Sequence, residues 1–62
     1  MSIDNIELYL DMIRQKPLAI LFTDGDTEAW IPKSQILRMK RMGGSTHEVV
    51  IPEWLAVEKG LC

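Results

Sequence analysis

Proline and glycine cut this sequence into short pieces. Pro17, Pro32 and Pro52 interrupt it, and Asp24–Gly25 and Gly43–Gly44 punctuate the stretches between them. Proline has no N–H for a ladder and cannot continue a helix. Asp-Gly supplies the positive φ that a tight hairpin needs. Each piece is therefore one short element, and residues 1–62 make a single small domain. A chain of this size buries only about 60% of its unfolded surface. Its single cysteine is the last residue, Cys62, which excludes an intrachain disulfide and a zinc site of several thiolates. Packing must hold the fold together, with help from a partner chain as the other resort.

The pieces predict an α+β chain. Residues 5–15 read as an N-terminal helix: Asp4 is placed to cap it, Glu7 follows as the capping-box residue, and Ile3 and Leu8 have the spacing of a hydrophobic staple. Ile6, Tyr9, Leu10 and Ile13 follow the helical period, with Leu8 and Met12 beside the stripe. Four short antiparallel strands are expected at 18–23, 27–32, 35–42 and 47–51. The stretch 35–42 also fits a short basic helix after Ser34. In the second strand Glu28 and Trp30 share one face, with Ala29 and Ile31 on the other. In the third, Leu37, Met39 and Arg41 face one way, and Ile36, Arg38, Lys40 and Met42 the other. A C-terminal helix over 52–59 takes Pro52 at its first position and Gly60 as its left-handed cap, with Leu61 folding back on Ala56. Trp54, Leu55 and Val57 are its expected core residues. The architecture expected is a small SH3-like or OB-like half-barrel plugged by the helices, or an open meander with both helices on one face.

The residues Trp30, Ile31, Pro32, Ser34, Gln35 and Ile36, and then Pro52, Trp54, Leu55, Ala56, Lys59, Gly60 and Leu61, resemble a pattern in a group of small phage- and prophage-type bacterial proteins. That pattern runs W-[IL]-P-x-S-Q-I and later P-x-W-L-A-x-x-K-G-[LI]. The resemblance covers about Leu18 to Leu61. It implies a compact, non-catalytic domain and supplies no cofactor or catalytic residue.

Enzyme chemistry finds little to work with. His47 and Cys62 form no recognisable dyad, and His47 reads as an exposed histidine at a loop edge. Ser34 reads as a turn or cap residue. Asp24-Gly25-Asp26 lacks the ordered oxygen ligands and closing glutamate of a calcium loop, and a plain hairpin turn is the expectation. Gly43-Gly44-Ser45-Thr46 has no phosphate-loop lysine. No enzyme, metal, cofactor or small-molecule substrate is predicted. No apolar run reaches the roughly 18 residues of a membrane span, and the acidic start is unlike an export signal, so the expected compartment is the cytoplasm.

Charge carries the functional expectation. The net charge is −2, yet Lys33, Arg38, Lys40 and Arg41 crowd into one stretch free of acids, while Asp4, Glu7 and Asp11 make the first eleven residues acidic with no base among them. A basic strand with Trp30 beside it has the parts of a single-strand nucleic-acid binder. The negative net charge, the small patch and the lone aromatic argue against that use. The plainest reading makes the bases the wet side of an edge strand. The first functional expectation is a non-enzymatic interaction protein that docks on a protein partner, such as a phage-type accessory or inhibitor, through Trp30, Lys33, Arg38, Lys40 and Arg41. A homodimer through the wide apolar arc of the first segment is a further expectation. The second functional expectation is a single-stranded nucleic-acid-binding module using the same residues.

Overall fold

The computed structural model describes residues 4–61. Five strands form one antiparallel sheet: β1 (Asn5–Gln15), β2 (Ala19–Thr23), β3 (Glu28–Pro32), β4 (Arg38–Gly43) and β5 (Thr46–Pro52). A 3-10 turn at Lys33–Gln35 joins β3 to β4, and a short helix, α1 (Glu53–Glu58), follows β5. The strand order is β3-β2-β1-β5-β4.

The N-terminal helix expected over 5–15 is instead β1, the central strand. The segment satisfies two periods at once. Ile6, Leu8, Leu10 and Met12 also recur every second residue, and in the fold these side chains turn toward the core while Glu7, Tyr9 and Asp11 point away. Pairing decides the outcome, because an isolated helix of this length is marginal in water and tertiary contacts override its propensity. Here β1 has partners on both edges. Asn5 to Asp11 pair with β5, and Asp11 to Gln15 pair with β2. The register shifts between Met12 and Arg14, so Ile13 sits in a bulge and is exposed, although the helical reading placed it in the core. Asp4 precedes a strand rather than the expected helix, and its carbonyl accepts the Glu53 N–H at 2.9 Å, which ties the start of β1 to the start of α1. Ile3 of the expected staple lies outside the described residues, as does Cys62.

The four-strand half-barrel with two helical plugs is therefore corrected to a five-strand sheet with one short helix. This sheet cannot be flat. β3 and β4 are its two edges, about 19 Å apart across four strand spacings in a planar arrangement. The row Ile31–Ile20–Gln15 and the row Arg38–Val50–Glu7 also lie eight residues of β1 apart, about 26 Å along the strand. The connection from Pro32 to Arg38 is too short to span both, and a 3-10 turn takes up part of it. The sheet bends on itself, with the bulge in β1 at the place where its partners change. The Lys33 N–H donates to the Leu18 carbonyl at 2.9 Å and pins the 3-10 turn to the β1–β2 connection. The Cα radius of gyration, 10.8 Å, is close to the roughly 10.6 Å expected of a compact chain this long.

Inside the bend lie Leu10, Ile20, Phe22, Ala29, Ile31, Val49, Ile51, Leu55, Ala56 and Leu61. The alternation expected in 27–32 holds: Ala29 and Ile31 are buried, and Glu28 and Trp30 face away. α1 packs on β5 and β1 through Leu55 and Ala56. Trp54 and Val57, expected in the core, are each 59% exposed. A helix this short presents one narrow stripe to the sheet, and two adjacent residues fill it. Its ending follows the expectation. Gly60 has φ +75°, its N–H donates to the Val57 carbonyl at 3.1 Å, and the Leu61 N–H donates to the Ala56 carbonyl at 2.8 Å. This is a Schellman closure with Leu61 returned to the core. Among the described residues, no helix is long and apolar enough to cross a membrane.

Three substitutions test this packing. Phe22→Ala removes the largest fully buried side chain and should cost about 3–5 kcal/mol. A domain of this size has roughly 3–9 kcal/mol in total, so urea melts followed by circular dichroism should show little or no cooperative transition. Gly60→Ala forces an L-residue to a positive φ and should cost about 1 kcal/mol, whereas Trp54→Ala should stay within about 0.5 kcal/mol as a surface change.

Candidate functional site

The five residues singled out by the sequence do not share one surface. Trp30 projects from the outer face of edge strand β3, opposite Leu21 of β2. Its ring carries the Lys16 ammonium 5.0 Å from the centroid, a cation–π contact that occupies one face of the indole. Arg38 and Lys40 lie on β4, the other edge strand, with Val50 and Glu48 opposite them. Lys40 thus has an acid as its direct neighbour. In the next strand of the same rows stand Glu7, beyond Val50, and Tyr9, beyond Glu48.

Arg41 has the opposite parity. It stands across from His47, in line with Leu10 on the core side, and its Nε–H donates to the Gly44 carbonyl at 3.2 Å. The sides expected within 35–42 are those observed for Arg38 to Arg41, but the strand starts later. Lys33–Gln35 is a 3-10 turn, and β4 spans Arg38–Gly43. Pro32 without an N–H, followed by Ser34, favours a turn before the ladder resumes.

Lys33 and Arg38 meet again at a cleft. A concavity of about 370 Å³ opens between the 3-10 turn, the start of β4 and the ends of β1 and β2. It is lined by Gln15, Ile20, Lys33, Ile36, Leu37, Arg38 and Met39. Its walls are mostly aliphatic, two bases stand in its lining, and no acid does. Leu37 is 55% exposed and Met39 42% exposed, so two large apolar side chains at its mouth have no cover. The sequence hid this cleft because its residues come from four elements, joined only by the bend in the sheet. Nothing in local periodicity connects Gln15 with Met39.

His47 stands at the start of β5, as expected, but is half-buried rather than exposed. Its Nδ1–H donates to the Ser45 carbonyl at 2.8 Å, and its ring meets Phe22 edge-on with centroids 6.5 Å apart. The Asp24 loop is a hairpin turn between β2 and β3, closed by its own side chain. Asp24 Oδ1 accepts from the Asp26 N–H at 2.9 Å and from the Thr27 N–H at 2.8 Å. Gly25 supplies φ +105°. Among the described residues, no three His, Cys, Asp or Glu side chains converge as a metal site would require. No protein-family model, no curated protein and no solved structure matches this chain.

The turn predicts an acid-linked stability term. Hydrogen bonds from the Thr27 and Asp26 amides hold the Asp24 carboxyl below its ordinary value. The folded state therefore binds this proton less readily than the unfolded one. The stabilisation is fully present above the unfolded pKa, and it is lost as pH falls through the lowered folded value. Asp24→Asn keeps an acceptor oxygen but carries no charge. Thermal melts from about pH 5 to about pH 2.5 should show a smaller fall in Tm for Asp24→Asn than for the parent chain.

Proposed function

We propose that this protein is a non-enzymatic interaction module that docks on a protein partner through the cleft and the adjoining strand β4. The observation that carries the reading is the cleft itself: aliphatic walls, uncovered Leu37 and Met39, and a rim of Lys33 and Arg38 without a carboxylate. An apolar floor with a few fixed charges suits a side chain anchored by burial and oriented by charge. Lys33, Arg38, Lys40 and Arg41 are the contact bases. Trp30 is set aside from the contact because its ring is already engaged by Lys16. An accessory or inhibitor protein of the phage type would act in this way, by occupying a partner's surface.

The same placement counts against single-stranded nucleic acid. A binder of that kind stacks bases on an aromatic platform beside the cations that hold the phosphates. Here the Trp30 ring is already engaged by Lys16, and Glu48 and Glu7 are interleaved with Arg38 and Lys40.

Yeast-displayed random peptides and a labelled single-stranded oligonucleotide separate the two readings. The purified protein should enrich a peptide family, and the double variant Lys33→Glu/Arg38→Glu should lose at least tenfold in affinity for it while keeping the parent circular dichroism spectrum. Oligonucleotide titrations at low and moderate salt should show no binding. Tight oligonucleotide binding that weakens steeply with salt, with no peptide enriched, would overturn the proposal.

A further inference from the structure

Resting on the docking reading above, we infer that β4 takes an acidic, extended peptide segment as a sixth strand of the sheet, with one aliphatic side chain of that segment seated in the cleft beside Met39. Among the described residues β4 pairs with β5 alone, so its other edge leaves backbone groups unpaired. All six of its residues are exposed. An extended chain can add to such an edge through main-chain hydrogen bonds and gain selectivity from its alternate side chains.

Charge determines which extended chain can do so. Arg38, Lys40 and Arg41 stand within the six residues of β4, and no acid is among them. Two copies of this strand joined edge to edge would bring six cations into one two-stranded ribbon, and like charges opposite one another destabilise a pair. The edge is therefore protected against a second copy of itself. A strand carrying glutamates or aspartates meets the reverse situation. On the outer face its carboxylates would stand beside Arg38 and Lys40, and on the inner face beside Arg41.

The cleft adds position to charge. It opens at the start of β4, where Leu37 and Met39 are uncovered and Lys33 and Arg38 stand at the rim. A segment lying along β4 passes this opening. One Leu, Ile or Met in it would cover Met39 and Leu37, and a neighbouring carboxylate would meet Lys33. The other edge strand, β3, is a poorer site: it ends in Pro32, its alternate residues Ala29 and Ile31 are buried, and Trp30 is engaged by Lys16.

The test uses the whole chain, labelled with ¹⁵N, and a synthetic decapeptide of alternating Glu and Val with one central Leu. Controls are the same peptide with Lys for Glu, and one N-methylated at alternate residues. The acidic peptide should perturb the amides of residues 36–43 and slow hydrogen exchange of β4 edge amides at least tenfold. The lysine and N-methylated peptides should bind at least tenfold more weakly, and so should the acidic peptide to the Lys33→Glu/Arg38→Glu variant. Acidic-peptide binding that is indifferent to N-methylation, or that maps to Trp54 and Val57 on α1, overturns strand addition and leaves protein docking in place. Equal binding of acidic and basic peptides overturns the charge argument. A dimer in light scattering with β4 amides protected shows a second copy as the occupant and overturns the acidic segment. No perturbation by any peptide, together with oligonucleotide binding, overturns the docking reading as well.

Discussion

The fold depends on one strand having two partners. β1 pairs by its first half with β5 and by its second half with β2, and the partners meet only around Asp11. Neither outer hairpin could stand alone: a two-stranded hairpin is marginal in water, and each needs a third strand and an apolar face to cover. β1 supplies both. Its side-chain alternation places Ile6, Leu8, Leu10 and Met12 along the floor of the core, and its bulge at Ile13 turns the second half away from the first. Phe22 beneath β2 and His47 beneath β5 then touch across it. The short link between the edge strands follows from the same bend, since it could not reach across an unbent sheet.

That strand is also the one whose local signals point to a different structure. Its apolar residues satisfy a period of 3.6 through Ile6, Tyr9, Leu10 and Ile13, and a period of 2 through Ile6, Leu8, Leu10 and Met12. Asp4 and Glu7 added the marks of a helix. Those marks are local, and the choice was made by β5 and β2, which lie far along the chain. Elsewhere local chemistry was enough. Asp24-Gly25 made its hairpin, Ala29 and Ile31 turned inward, and Gly60 closed α1 with Leu61 returned to the core, because each depends on residues within a few positions. Trp54 and Val57 failed for a reason of scale: a six-residue helix against a bent sheet has room for one inward stripe, and Leu55 and Ala56 take it.

The candidate site divides along the same line. The basic cluster was plain in the sequence, as was the side to which Arg38 and Lys40 point. What they stand beside was not. The expected separation of an acidic helix from a basic strand disappears once the acidic segment becomes β1, since Glu7 then shares a face with Arg38 and is two strands away, about 10 Å. That is about one Debye length at moderate salt, so the outer face of β4 is partly neutralised by its own sheet.

This partial neutralisation moves the weight of recognition to the cleft. On the outer face, Glu48 opposes Lys40 directly and Glu7 lies beyond Val50, so a partner carboxylate there competes with acids already present. Among the described residues, the lining of the cleft holds no acid. Lys33 is half-buried on a turn held by its own N–H to Leu18, and Arg38 reaches the opening from the first position of β4. A carboxylate arriving there would be flanked by aliphatic surface that excludes water, and an ion pair weakens less with salt as its surroundings dry. Exposed pairs on the outer face would contribute little by comparison. A single cleft-side carboxylate beside an aliphatic anchor would therefore outweigh a run of acids along the outer face, and a partner would be chosen by where its charge sits relative to its apolar residue rather than by how much charge it carries.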